Sequence, residues 1–268
     1  MMRDILYGSQ RQQFWYADPW LRLCLDMNQG GAMIDLRPYA AKLLRPCGVG
    51  TKCLQDASYP FLVQSLYRAG YFTHYAGEGA VKSCKFSHGG EEIDLCACRT
   101  RASFSEEGDT RIVTLDPVEI EFADLTVRVQ SVFCFAEGSG EIQIVRQVID
   151  TTNPEAEVTI DEYLTGCYGT TEYPEDLTGV RLALEGKAGT ETIDYAYQCR
   201  EAEEPGIKRV EALIPQVDTR LTMWAEGDDA AGYFREGFAF SPMYTIGIQK
   251  TVTGKGTLRT WLRVEKAT

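Results

Sequence analysis

The sequence predicts an all-β, antiparallel sandwich with one short helix near residues 59–69, and three observations carry that prediction. Segments rich in Val, Ile, Thr and aromatic residues recur along the chain and mostly alternate apolar with polar, the period of a half-buried strand. Turn signals such as Glu137-Gly138-Ser139-Gly140, Thr152-Asn153-Pro154 and Gly254-Lys255-Gly256 separate them at hairpin spacing. Only one stretch carries a persuasive helical period, so a parallel α/β arrangement, which needs a helix between successive strands, is not expected.

Taken in order, the helix comes first. In Tyr59–Ala69 the residues Phe61, Leu62, Ser65, Leu66 and Ala69 share one face; Asp56 or Ser58 caps the start, Pro60 sits near the first helical position and Gly70 stops it. Val81–Ser87 and Glu92–Arg99 follow as a hairpin turning at Gly89-Gly90. Then come Arg111–Leu115, Val118–Phe122, Thr126–Phe135, Glu141–Ile149, Glu157–Leu164, Val180–Glu185, Arg209–Ile214 and Thr257–Glu265 as strands, with loops around 46–60, 70–80, 166–180 and 225–242. No linker, repeat or low-complexity tract interrupts them, so residues 1–268 read as a single domain. At 268 residues and 44% hydrophobic content the chain buries roughly 70–75% of its unfolded surface, enough for a core without staples.

Charge narrows the ligand. Lys and Arg number 27 against 39 Asp and Glu, a net charge of −12 with no basic block. The cationic footprint that holds a phosphate backbone is missing, so nucleic acid is not expected as a partner. The same field favours neutral ligands, although Arg99 and Arg101 can hold a single carboxylate. The first residues lack the apolar stretch of an export signal, no run of about 18 apolar residues appears, and nine cysteines lie scattered without a disulfide spacing. A reducing cytoplasm and no membrane partner are the expectation.

Chemistry is harder to read. There are two histidines, His74 and His88. His74 lies in a loop with Tyr71 and Tyr75, whose rings can stack on a sugar; the plainer reading is an exposed loop histidine among packing tyrosines. His88 reads as a turn residue. With Cys84, Cys96 and Cys98 it makes a C-x3-H-x7-C-x-C pattern, off the usual zinc spacings, and strand alternation puts Cys96 and Cys98 on one face as buried thiols often lie. No metal and no cofactor are expected. Asp161 to Gly169 runs from a strand into a loop carrying Glu162, Tyr163 and Tyr168, with Glu172, Tyr173 and Glu175 beyond, a grouping of acids and aromatics that suits a neutral sugar and equally suits a plain sheet-edge loop. Neither a G-x-S-x-G elbow, a Walker loop nor a G-x-G-x-x-G run is present.

Two stretches, Asp26-Met27-Asn28-Gln29-Gly30-Gly31-Ala32-Met33-Ile34-Asp35-Leu36 and Gly50-Thr51-Lys52-Cys53-Leu54-Gln55-Asp56-Ala57-Ser58-Tyr59, resemble the galactose mutarotase-like (aldose 1-epimerase-like) β-supersandwich proteins. The resemblance implies an antiparallel β-supersandwich with an open sugar cleft and acid–base chemistry at the anomeric carbon. In the aldose mutarotases a glutamate near the end of the chain is the base and a histidine serves the ring oxygen. The counterpart here, Tyr244-Thr245-Ile246-Gly247-Ile248-Gln249, places Gln249 where that glutamate belongs, and an amide cannot take up the proton. His74, Glu162 and Glu172 are then the catalytic candidates. Tyr71, Tyr75 and Tyr168 would stack on the ring, and Gln55, Asp56, Arg99, Arg101 and Gln249 would bind hydroxyls. A small-molecule sugar or glycoside is the expected partner. Two rival readings stand beside it: a non-catalytic carbohydrate-binding or accessory subunit, associating with itself or with an enzyme subunit, and a lyase acting on a polysaccharide or glycoside.

Overall fold

The computed structural model describes residues 3–7, 11–38, 63–64, 81–167, 181–186, 189–194, 201–205, 208–214, 219–227, 229–238 and 242–267. Strands β1 (Arg3–Tyr7), β2 (Arg11–Ala17), β3 (Leu21–Asp26), β4 (Ala32–Pro38), β5 (Val63–Gln64), β6 (Val81–His88) and β7 (Glu91–Asp94) open a first sheet. The chain then crosses to a second sheet through β8 (Ala102–Glu107), β9 (Thr110–Leu115), β10 (Val118–Glu121), β11 (Thr126–Ala136) and β12 (Glu141–Thr151). It returns in β13 (Glu157–Cys167), crosses again for β14 (Arg181–Gly186) and β15 (Gly189–Asp194), and adds β16 (Glu201–Pro205) to the first sheet. β17 (Arg209–Ile214), β18 (Thr219–Ala225) and the closing β21 (Gly256–Lys266) join the second, while β19 (Ala231–Phe238) and β20 (Pro242–Thr253) join the first.

Among the described residues the first sheet runs β1-β2-β3-β4-β6-β13-β20-β19-β16 and the second β15-β14-β17-β18-β21-β12-β11-β9-β8, with antiparallel pairing throughout. The all-β antiparallel expectation holds, and the strands read from alternation lie within a residue or two of their bounds, except that β13 runs on to Cys167 and the strand read as Glu92–Arg99 ends at Asp94. Alternation sorts the faces: Val127, Val129, Phe133 and Phe135 of β11 and Ile142, Ile144 and Val148 of β12 point inward against Cys84, Phe86, Ile160, Leu164, Ile246 and Ile248 of the first sheet. Aromatic packing joins the sheets at one end, where Phe14 stacks on Phe104 at 5.4 Å and Tyr16 on Phe135 at 4.7 Å, contacts worth about 0.5–1.5 kcal/mol each beyond area burial.

Three readings of local structure change. At Val63–Gln64, the two described residues of the stretch expected as a helix, the chain is extended and pairs with β4 through Leu36↔Val63 and Asp35↔Gln64. An apolar helical period loses here to the hydrogen-bonding groups of a neighbouring strand. The second arm of the Gly89-Gly90 hairpin stops at Asp94, whose carboxylate accepts the Cys96 amide at 2.8 Å and starts a 3₁₀ turn over Leu95–Ala97. This side-chain cap competes with strand extension, so strand parity does not govern Cys96 and Cys98. Part of the loop expected around 225–242 is instead strand β19, whose Gly232 and Gly237 break the apolar alternation that would have revealed it. Loops 46–60 and 70–80 lie outside the described residues, as does 168–180. No helix among the described residues is long and apolar enough to cross a membrane.

Candidate functional site

Strand β13 lies between β6 and β20 in the first sheet, and its side chains divide by parity. Ile160, Glu162 and Leu164 point into the core, whereas Asp161 and Tyr163 stand on the opposite face. Glu162 is therefore not a ligand-facing acid: it is 0% exposed, and both its oxygens are taken. Arg146 of β12 donates from Nε to Glu162 Oε2 at 2.6 Å and from Nη2 to Oε1 at 3.2 Å, and Lys82 Nζ donates to Oε1. Burial works to raise the Glu162 carboxyl pKa, but Arg146 and Lys82 override it and hold it below the usual carboxylate range. Two cations share one anion, and burial pulls the Lys82 amine down against the pull of Glu162. The triad ties the two sheets together through the middle of the core, with the Arg146 guanidinium 4.9 Å from the centre of the Phe133 ring.

The other face of the same strands carries the polar grouping. Register places Lys85, Asp161, Gln249 and Ala231 in one row across β6, β13, β20 and β19, and Ser83, Tyr163, Gly247 and Tyr233 in the next. Direct neighbours in such rows have Cβ atoms about 4.5–5.5 Å apart. Tyr233 is 2% exposed, and its ring lies flat across Gly247, where a Cβ would collide with the ring and hydroxyl. Because that position is glycine, Tyr233 reaches over β20 to β13, and its hydroxyl stands 2.9 and 3.0 Å from the two oxygens of Asp161. Burial pushes the Asp161 carboxyl up to about 6, against the lowering pull of the Tyr233 hydrogen bond, Lys85 and Arg235. Ionisation of Asp161 thus falls close to neutral pH.

A second carboxylate, Asp94 of β7, lies two strands away, across β6 from Asp161. Asp94 accepts the Tyr163 hydroxyl at 2.5 Å, the Ser83 hydroxyl at 2.8 Å and the Cys96 amide. Burial and Asp94 together push the Tyr163 phenol above its ordinary value. Cations border both rings, Lys85 Nζ 5.3 Å from the centre of Tyr163 and the Arg235 guanidinium 4.6 Å from that of Tyr233. Further along this face Arg22 covers Trp15 at 5.3 Å and pairs with Asp35 at 3.8 Å.

The expected site residues divide accordingly. Gln249 is on this face, directly opposite Asp161 in the ladder. Arg99 and Arg101 are exposed on the segment that leads from the Leu95–Ala97 turn into β8, at the crossing between sheets. His74, Glu172, Gln55, Asp56, Tyr71, Tyr75 and Tyr168 lie outside the described residues. His88 is occupied at the sheet edge, its ring nitrogens 2.8 Å from the Glu157 carbonyl oxygen and 3.1 Å from Asp124 Oδ1. Cys84 is buried in the core with its thiol toward the Lys85 carbonyl, and no group of three or more His, Cys, Asp or Glu among the described residues is placed to hold a metal ion. Sequence reasoning missed Asp161, Asp94, Tyr233 and Gly247. For Asp161 the signal was available: Ile160 and Leu164 mark the apolar parity that Glu162 shares, which leaves Asp161 on the outer face.

No protein-family model matches the sequence, and no curated protein matches it either. Solved structures do resemble the fold. A galactose mutarotase-like protein from Clostridium acetobutylicum aligns over 99% of this chain and 98% of its own with a TM-score of 0.61 at 9% identity. Galactose 1-epimerase from Lactobacillus acidophilus aligns over 100% and 99% with a TM-score of 0.56 at 8% identity. The 4-alpha-glucanotransferase from Thermococcus litoralis aligns over 98% of this chain and 39% of its own, with a TM-score of 0.55 at 8% identity. At such identities the likeness is one of architecture, and together with the two antiparallel sheets it establishes that this chain has the galactose mutarotase-like β-supersandwich fold.

Proposed function

We propose that the outer face of the first sheet binds a neutral sugar or glycoside and carries out mutarotase- or epimerase-like acid–base chemistry on it, with Asp161 as the proton-transfer group. One observation carries this reading: a half-buried carboxyl lifted to about 6 stands directly across the ladder from Gln249, where the resemblance expects the base and an amide stands instead. The carboxylate is present one strand away. A base whose pKa lies near the working pH combines a useful ionised fraction with a useful proton affinity. Asp161 takes the proton of the anomeric hydroxyl, the C1 to ring-oxygen bond breaks as the C1 carbonyl forms, and an acid delivers a proton to the ring oxygen. Rotation about C1–C2 and the reverse steps give the other anomer with no net change of protons. With His88 held at the sheet edge, His74 is the histidine for the ring oxygen, and Tyr71, Tyr75 and Tyr168 are the stacking residues.

Gln249 favours a second reading, a binding module without turnover, since the amide offers a donor and an acceptor to sugar hydroxyls but no proton cycle. A lyase gains less: a proton-abstracting tyrosine needs a lowered pKa, and that of Tyr163 is raised. Magnetisation-exchange NMR on a panel of neutral aldoses tests the proposal. Anomer exchange above the buffer rate supports it; binding without exchange favours the module; neither binding nor exchange with any aldose overturns both.

A further inference from the structure

We infer that Tyr233, laid across Gly247, is the positioning residue that keeps Asp161 aimed at the ligand in both of its protonation states. The inference rests on the sugar acid–base reading above and extends it to a residue on a different strand. The geometry is specific. Tyr233 begins on β19 and ends against a carboxylate on β13, which requires the intervening strand to offer no side chain where the ring crosses, and Gly247 meets that requirement. The phenol oxygen is nearly equidistant from the two carboxylate oxygens, at 2.9 and 3.0 Å. It has one proton, so it donates to one oxygen or the other, and the carboxylate is gripped along the edge that carries both.

A group that cycles between base and acid needs a partner in each state. When Asp161 is ionised, the Tyr233 hydroxyl donates to it. When Asp161 has taken a proton, its own O–H can donate back to the phenol oxygen, which still has lone pairs. Neither Lys85 nor Arg235 can do this, since both only donate. The charged and titratable groups around Asp161 are Lys85 of β6, Glu162 and Tyr163 of β13, Arg235 of β19 and Tyr233 itself. Among them the neutral groups are the two phenols, and the Tyr163 hydroxyl is given to Asp94, which leaves Tyr233 as the one placed to exchange the direction of its hydrogen bond with the Asp161 carboxyl.

The test is Tyr233→Phe, which keeps the ring over Gly247 and removes only the hydroxyl. In a carbon NMR titration of the Asp161 carboxyl, with no sugar present, the variant moves the midpoint upward by about one pH unit, because a hydrogen bond to the charged form has been lost. Where the wild type exchanges anomers, the acidic limb of the kcat profile moves in parallel and kcat falls about tenfold with KM changed less than twofold. Gly247→Ala, which drives the ring from its seat, produces the same upward titration shift in protein shown by circular dichroism to be folded. An unchanged Asp161 midpoint in folded Tyr233→Phe overturns the inference. So does a shifted midpoint with unchanged kcat in a protein that turns sugar over. If the wild type exchanges no anomer, the activity reading fails and the positioning role falls with it, even where the titration shift is observed.

Discussion

Replacing Asp161 by Asn should make the protein more stable at neutral pH while removing its proposed chemistry. The carboxyl has an ordinary value of 3.8 and is raised by burial to about 6 in the folded chain. The folded state therefore holds the proton more tightly than the unfolded one, and the wild type loses stability as pH rises from about 4 to about 6. A shift of about two units corresponds to about 3 kcal/mol, and partial contact of the side chain with water reduces this to about 1–3 kcal/mol. Asn has the same shape, still accepts from Tyr233 and carries no charge to bury. Urea unfolding of wild type and Asp161→Asn at pH 4 and pH 7.5 reads the difference as a change in midpoint at constant slope. The gap between the two should widen in favour of the variant by about 1–3 kcal/mol over that range. A gap that stays flat, or that widens in favour of the wild type, refutes the claim that Asp161 is an ionisable group held against its solvation preference.

Other expectations follow from the same geometry. Glu162→Gln leaves Arg146 and Lys82 without their anion in the core and should cost about 3–5 kcal/mol in denaturant unfolding at pH 7, and the cost should shrink as pH rises, because burial pulls the Lys82 amine down. In the wild type the triad's contribution is present above the usual glutamate value and is lost as pH falls through the lower folded one, so acid unfolding should begin later than in the variant. Gln249→Glu puts a second carboxylate beside Asp161 and should raise the Asp161 NMR midpoint by about one unit or more. Gly30→Ala should cost about 2–4 kcal/mol by thermal unfolding, since φ there is +61° and the new methyl would overlap the Leu95 carbonyl.

The architecture was legible because alternation is a physical consequence of one buried sheet face, and β11 shows it over all 11 residues while β12 and β21 show it over most of theirs. Where that signal weakens the reading weakens with it: β19 is broken by Gly232 and Gly237, and β5 is two residues that owe their extension to β4. The site was less legible for a different reason. Glu162 and Asp161 are adjacent in sequence and equally acidic, and only parity separates a core ion triad from a carboxyl on the outer face. Tyr233 and Gly247 mean nothing singly; their relation exists only once β19 and β20 pair in register. Gln249, in contrast, was singled out by resemblance alone, and in the ladder it stands directly opposite Asp161.

The most direct test of the account is the pH dependence of anomer exchange on a neutral aldose, followed by NMR for wild type and Asp161→Asn. The account predicts a wild-type rate whose acidic limb rises through an inflection near pH 6, and a variant that matches the buffer at every pH. Equal rates for the two proteins, or a wild-type profile without that inflection, would contradict it.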